Sequence, residues 1–178
     1  MLAEGKLTLE LFLHDEAGNE SGAVTKALWQ KRLQGESGWN LLAFPGVPVA
    51  ADGTDLAAAP APYAALFPGM HGQVWRWNAD AGTYTPTTEL PANEGWWIFL
   101  TAPVVTGVVF GDYAGPLVDS QLTPGAWNLV GVGFEQAGGT PPGPGSWGWR
   151  WRPDTRVYES LGWNGDYHPF TGYWLWVD

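Results

Sequence analysis

The chain has 178 residues with 13 Trp, 25 Gly and 15 Pro, only 15% of its residues are charged, and its formal net charge is −10. Large aromatic residues combined with many chain-reversing residues indicate short strands and tight turns, so we expect an all-β fold. The acidic balance repels phosphate backbones and excludes an ordinary nucleic-acid-binding protein. The chain has no cysteine, which excludes disulfides and thiolate nucleophiles, and no apolar run approaches the ~20 residues of a membrane-spanning helix.

The first predicted element is an extended segment near the N-terminus, KLTLELFL. A leucine at every second position places four leucines on one face of a strand, and these are Leu7, Leu9, Leu11 and Leu13. A long alternating strand at a sheet edge can add to the sheet of a neighbouring chain and polymerise the module into a fibre. The alternative is that the strand pairs within its own domain. The next segment, AVTKALWQKRL (23–33), fits either a strand or a short helix.

Beyond these segments the chain carries four motifs twice, in the same order. GWNLLAFPG (38–46) is matched by AWNLVGVGF (126–134), Trp75-Arg76-Trp77 by Trp149-Arg150-Trp151, Tyr84 by Tyr158, and GWWIF (95–99) by GYWLW (172–176). We therefore predict two pseudo-symmetric repeats of about four strands each, packed as one sandwich or barrel-like β unit. The N-terminal strand segment and repeat 1 occupy residues 1–100, and repeat 2 occupies residues 101–178.

Each motif predicts a strand. In VWRWNADAGTYTP (74–86), Trp75 and Trp77 share one face, and NADAG reverses the chain into a hairpin. Pro153-Asp154 supplies the corresponding turn of repeat 2. GWWIFL and GYWLWV are apolar on both faces, as is typical of a central strand covered on each side.

Aromatic residues that occur in both copies are expected to pack the core, because a core is what the two copies have in common. This predicts core positions for Trp39, Trp75, Trp77, Trp96 and Trp97, and for Trp127, Trp149, Trp151, Trp174 and Trp176.

Aromatic residues found in one copy only are the better ligand-binding candidates. Trp147 aligns with Gln73, and GWNGDYHPF (162–170) places four more candidates on one loop, namely Trp163, Asn164, Asp166 and Tyr167. An aromatic platform with polar groups beside it is how a carbohydrate site is often built. The alternative is that the Asn-Gly pair forms a hairpin turn and that Trp163 folds back onto the sheet.

Residues for catalysis or metal binding are hard to find in the sequence. His14, His71 and His168 lack ligand spacing, and no serine lies in a Gly-x-Ser-x-Gly motif. NADAG lacks the later bidentate glutamate of a calcium loop, so a plain hairpin turn is the preferred interpretation. We expect no enzyme activity, no metal and no cofactor, with a hydrolase acting on glycans or peptides as a distant alternative.

The quoted motifs resemble the GWNL to GYW repeats of bacterial and archaeal extracellular proteins, with Trp96 in place of the usual Tyr and Ala126 in place of Gly before Trp127. LTLELFLHDEAGNESG is similar to the last strands of a bacterial immunoglobulin-like repeat. Both resemblances imply export and a structural or binding role at a cell surface or in a matrix, in a mature or shortened piece of a larger protein. We therefore expect a non-catalytic module whose partners are further copies of itself or neighbouring surface domains. The alternative is a carbohydrate-binding module.

Overall fold

The computed structural model describes residues 5–12, 14–22, 24–49, 66–113, 121–132, 147–161 and 167–178. Strands dominate these ranges, which confirms the all-β prediction. Their bounds are β1 (Gly5–Leu11), β2 (Val24–Gly35), β3 (Gly38–Ala43), β4 (Gly46–Val49), β5 (Val74–Asn78), β6 (Thr83–Thr87), β7 (Gly95–Leu100), β8 (Val104–Tyr113), β9 (Ala126–Val130), β10 (Trp147–Arg152), β11 (Val157–Leu161) and β12 (Tyr173–Val177).

The strands form three four-stranded antiparallel sheets that pack in a sandwich-like arrangement. Sheet I has the order β1-β2-β8-β4, sheet II has the order β3-β7-β5-β6, and sheet III has the order β9-β12-β10-β11. The segment that fitted strand or helix is therefore a strand, β2, which pairs with β1 on one side and β8 on the other. As predicted, β7 and β12 are central strands of their sheets.

The candidate assembly strand β1 lies at one edge of sheet I in the part of the chain that the structure describes. Within β1, Leu7 is paired with Leu28, Leu9 with Lys26 and Leu11 with Val24, whereas Leu13 lies outside the described residues. The strand thus pairs within its own chain on one side. Its use in assembly stays a prediction.

Sheets II and III show the same strand order when their matching motifs are superposed, with β3, β7, β5 and β6 corresponding to β9, β12, β10 and β11. Two isolated β-bridges link the sheets, one between Leu42 and Thr171 and the other between Glu94 and Val130. In the alignment of the repeats Leu42 corresponds to Val130 and Glu94 corresponds to Thr171, so the two bridges are equivalent. The two sheets are therefore related by a pseudo-twofold axis. The predicted division at residues 100 and 101 stays a prediction.

Three hydrophobic clusters hold these sheets together. The first lies between sheets I and II and contains Trp96, Ile98 and Phe110, each at most 1% exposed. The second lies against sheet III and contains Tyr173 and Leu175. The third joins sheets II and III through Leu41, Trp97 and Leu129, with half-buried tryptophans around it. Because the third cluster draws on both copies of the motif, it positions the surface described below.

Both predicted hairpin turns are confirmed, and each ends on a residue with positive φ. Residues 79–82 connect β5 to β6, and residues 153–156 connect β10 to β11. The last residue of each turn has a left-handed backbone, Gly82 with φ 61° and Arg156 with φ 57°. A side chain in this region costs about 1–2 kcal/mol, so repeat 2 carries strain that repeat 1 avoids.

We expect Arg156→Gly to raise the free energy of unfolding by up to about 1 kcal/mol, because relief of the strained backbone exceeds the added entropy of the unfolded chain. Urea denaturation measures the change. Thr155→Gly is the matched control, because Thr155 lies one residue earlier and does not have a positive φ. This variant should not raise the free energy of unfolding. A less stable Arg156→Gly variant would contradict this interpretation.

Candidate functional site

The repeated tryptophans meet in an open cleft between sheets II and III, which we call the aromatic cleft. It consists of two adjoining pockets of about 500 and 510 Å³. The first pocket is lined by Trp39, Trp75, Tyr84, Trp97, Trp151 and Tyr158. The second pocket is lined by Trp77, Tyr84, Trp127, Trp149, Tyr158 and Trp174. Tyr84 and Tyr158 belong to both pockets, so the two form one continuous surface.

The two pockets are built with nearly identical ring geometry. Trp77 and Tyr84 have ring centroids 5.1 Å apart at 69°, and their counterparts Trp151 and Tyr158 are 5.1 Å apart at 67°. The Trp39–Trp97 pair, 6.3 Å apart at 85°, is repeated by Trp127 and Trp174, which are 6.3 Å apart at 88°. All four pairs are edge-to-face, the favoured arrangement of aromatic quadrupoles. One arrangement of rings therefore occurs twice in the molecule.

Each repeat holds a ring of the other through a crossed hydrogen bond. Trp77 Nε1 donates to the Trp127 carbonyl over 2.8 Å, and Trp151 Nε1 donates to the Trp39 carbonyl over 2.8 Å. A side chain of one sheet is thus fixed by the backbone of the opposite sheet. The indoles of Trp77 and Trp151 are consequently held in place without a ligand.

Replacing either crossed indole by phenylalanine is expected to lower the free energy of unfolding by about 1–2 kcal/mol, from the lost hydrogen bond and ring area. The variants are Trp77→Phe and Trp151→Phe, and urea denaturation measures them. Trp149→Phe is the matched control, because Trp149 lies on the same strand as Trp151 and is 38% exposed. Equal losses in all three variants would show that the crossed bonds contribute nothing.

The prediction that all repeated tryptophans are core residues is wrong for part of the set. Trp39 is 46% exposed and Trp127 is 38% exposed, whereas Trp96 is 1% exposed and confirms the prediction. The reason is that successive side chains of a strand point to opposite faces of the sheet. Along β7, Trp96 belongs to the first cluster and the next residue, Trp97, belongs to the third cluster beside the cleft. Duplication has preserved a core face and a surface face together.

The asparagine of the repeated Trp-Asn-Leu motif has a positioning role that the sequence did not reveal. Asn40 is buried, and its Oδ1 accepts from the Glu36 N–H while its Nδ2 donates to the carbonyls of Glu36 and Gly38. Asn128 makes the same set of bonds with Thr123 and Ala126. Each asparagine thereby fixes the turn before the strand that presents the exposed tryptophan. The following leucines, Leu41 and Leu129, belong to the third cluster.

The ion pairs of β10 lie on the strand face that points away from the cleft. Arg150 Nε is 2.8 Å from Glu159 and Arg152 is 3.0 Å from Asp154, on the strand face opposite Trp149 and Trp151. The Arg150 and Arg152 hydrogen bonds hold the pKa of Glu159 below its usual range. Each of the described residues that line the two pockets is Trp or Tyr. The cleft therefore offers rings and hydrogen-bond donors without a formal charge.

The phenols of the cleft keep their protons at neutral pH. Burial raises the pKa of Tyr84 above its ordinary value, and the indole N–H of Trp97 opposes this rise. Burial likewise raises the pKa of Tyr158, opposed by Trp174. Both hydroxyls thus remain available to donate a hydrogen bond.

A side pocket of about 490 Å³ adjoins the first pocket and has a different character. It shares Trp39 and Trp75 with the cleft and adds Phe99 together with two polar side chains, His71 and Gln73. The sequence aligns Gln73 with Trp147, so this pocket belongs to one repeat.

Of the ligand-binding residues predicted from the sequence, Tyr167 is not among the described residues that line this site. Tyr167 is 1% exposed and packs on Tyr173 at 4.8 Å, and burial raises its pKa to about 12. An exposed platform at Tyr167 is therefore incorrect, since its ring fills the core beneath sheet III. Trp147 lies in β10 with its backbone opposite Trp176. Trp163, Asn164 and Asp166 lie outside the described residues.

The signal that could have located the cleft was the alternation of Trp with Arg in β5 and β10. A strand with a charged outer face and an aromatic inner face can border a groove as well as a core. Among the described residues, no three His, Asp or Glu side chains are grouped so as to hold a metal ion. Across the same ranges, the structure has no helix long and apolar enough to cross a membrane.

A scan against protein-family models, a search of curated proteins and a search of solved structures each found no match.

Proposed function

We propose that the chain is a non-catalytic β module, acting outside the cell or at its surface, that binds a partner polymer through the aromatic cleft. The observation that carries this proposal is the exposure of Trp39, Trp127 and Trp149 at one continuous apolar surface. Contiguous exposed apolar patches mark interaction sites, and Trp and Tyr are the residues most enriched at binding hot spots. The location outside the cell rests on the resemblance of the repeated motifs to extracellular proteins.

The rigidity of the cleft supports a binding role. The crossed hydrogen bonds from Trp77 and Trp151 hold the rings in place before binding. Immobilising a free side chain on binding costs roughly 0.5–1.5 kcal/mol, and a ring already held avoids most of that cost.

The chemistry of the lining supports a non-catalytic role. Hydrolases use an activated nucleophile or a carboxylate pair. The described side chains that line the two pockets are indoles and protonated phenols.

The test is an NMR titration of protein labelled with ¹⁵N at its tryptophan indoles. The probes are a proline decapeptide, a Gly-Ser decapeptide, a lysine decapeptide, cellohexaose and chitohexaose. We expect at least one probe to shift the Nε1 signals of Trp39, Trp127 and Trp149 while that of the buried Trp96 stays unchanged. A cleft whose indole signals respond to none of the five probes would contradict the proposal.

An assembly role for β1 is a prediction that can be checked on the same protein. Because copies with a net charge of −10 repel one another, edge-to-edge association should strengthen as salt screens the repulsion. Sedimentation velocity at rising protein concentration, in low and in high salt, is expected to show reversible association in high salt. A monomer under all conditions would exclude self-assembly.

Carbohydrate binding is the second candidate, and the side pocket favours it. Sugars stack on aromatic faces but also require polar groups for their hydroxyls. His71 and Gln73 supply such groups next to Trp39 and Trp75. Binding of cellohexaose or chitohexaose that is weakened by Gln73→Ala would support this candidate, and no binding of either sugar would remove it.

A further inference from the structure

We propose that the aromatic cleft takes a proline-rich segment of a partner protein in the polyproline II conformation, lying across both pockets. This inference rests on the proposed function and names its ligand class. Four properties of the described residues of the cleft support it, namely their hydrogen-bonding groups, their ring geometry, their lack of formal charge and their symmetry.

The hydrogen-bonding groups of the cleft match a ligand that has acceptors without donors. The indole N–H groups of the exposed Trp39, Trp127 and Trp149 can only donate, and the protonated hydroxyls of Tyr84 and Tyr158 can donate as well as accept. A proline residue has a carbonyl acceptor and no backbone N–H. A polyproline chain can therefore enter the cleft without leaving N–H groups unpaired, whereas an ordinary extended peptide brings one N–H for each residue.

The rings of the cleft stand at steep angles to one another, so that the edge of one ring meets the face of the next. Trp97 and Trp151 meet at 69°, and Trp77 and Trp174 meet at 77°. Prolyl rings are compact apolar groups that can pack on exposed aromatic faces and edges, and aromatic-lined grooves are the established receptors of polyproline II segments. Since polyproline II is preformed and extended, binding it loses little conformational entropy.

Charge and polarity argue against the other polymers. Among the described residues, the lining of the pockets has no charged side chain to pair with an acidic or a basic peptide. Sugar hydroxyls would meet rings without amide or carboxylate partners in the two central pockets, and burying them unpaired is costly. The polar groups that suit a sugar lie in the side pocket, outside the pseudo-symmetric cleft.

The pseudo-twofold axis predicts that the ligand can bind in either of two directions. Because the two pockets have the same ring geometry in reversed orientation, a regular ligand can enter with either chain direction. A polyproline II segment repeats its side-chain positions every three residues, so each pocket can contact the same chemical group.

Isothermal titration calorimetry with the proline decapeptide tests the ligand class, with the Gly-Ser decapeptide as the control. We expect one decapeptide to bind per protein and the Gly-Ser peptide not to bind. Trp39→Ala and its counterpart Trp127→Ala should each weaken binding by at least about 10-fold and by similar factors. Val105→Ala, on sheet I and 57% exposed, should leave the affinity unchanged.

A second measurement uses the unmodified protein, so its result does not depend on whether a variant folds. A nitroxide at the N-terminus of the decapeptide should broaden the indole signals of both Trp39 and Trp127, because the peptide binds in both directions. Broadening of only one of the two would overturn the two-direction model. If the decapeptide does not bind while another probe shifts the cleft indoles, the polyproline inference fails and the binding function stands. If no probe shifts them, both fail.

Discussion

Gly131→Ala is expected to lower the free energy of unfolding by about 2–3 kcal/mol, a large loss for one added methyl group. Gly131 lies where sheet III meets sheet II, and its N–H donates to the Asn93 carbonyl over 2.8 Å. A Cβ at this position would overlap the Cβ of Ala43. The backbones on both sides are fixed by sheet pairing, so the clash cannot be relieved by a side-chain rotation.

A swap of the two residues distinguishes this clash from a general loss of stability. In the double variant Ala43→Gly with Gly131→Ala, the added methyl group takes the place of the one removed. The remaining neighbours, the Ala43 Cα and the Asn93 carbonyl carbon, are both 3.6 Å from the new Cβ, an ordinary contact distance. We expect the swap to recover at least half of the lost stability in urea denaturation. Additive losses would show that the sheets are not in contact here.

Asn40→Ala and Asn128→Ala are each expected to lower the free energy of unfolding by about 3 kcal/mol, because each leaves buried backbone groups without partners. Asn40 is 1% exposed and Asn128 is 5% exposed, and each makes three hydrogen bonds to the preceding turn. Equal losses are expected because the two sets of bonds are equivalent. Denaturant unfolding monitored by circular dichroism measures both variants.

Two further variants identify the cause of that loss. Asn40→Asp preserves the volume and the acceptor but cannot donate to the Glu36 and Gly38 carbonyls, so it should be at least as unstable as Asn40→Ala. Asn78→Ala removes one exposed hydrogen bond to Ala81 and should cost less than about 1 kcal/mol. If Asn40→Asp were as stable as the unmodified protein, the buried hydrogen bonds would not be what holds the turn.

Features encoded locally in the chain were predictable from the sequence. The NADAG and Pro-Asp turns, the alternation of Trp and Arg along β5 and β10, and the apolar central strands β7 and β12 all depend on neighbouring residues. Each of these features occurs in both copies, so each prediction is supported by two separate stretches of sequence. The structure places them in two sheets with the same strand order.

Features that depend on distant residues were not predictable. Sheet I joins β2 to β8, segments on either side of repeat 1, and no local pattern indicates that pairing. The exposure of Trp39 and the burial of Tyr167 reversed their predicted roles. A pattern kept in both copies can reflect packing or a shared surface, and only the orientation of the two sheets decides between them. The sequence therefore indicated that aromatic residues matter, but it did not indicate which of the repeated tryptophans are exposed.

Hydrogen exchange at individual indole N–H groups, followed by NMR, tests most directly the claim that the repeated Trp-Asn-Leu motifs build an exposed cleft. We expect rapid exchange at Trp39, Trp127 and Trp149, which are between 38% and 46% exposed. Exchange should be slow at the buried Trp96 and at Trp77 and Trp151, whose indoles donate the crossed hydrogen bonds. Protection of Trp39 and Trp127 equal to that of Trp96 would place both in the core and contradict the cleft.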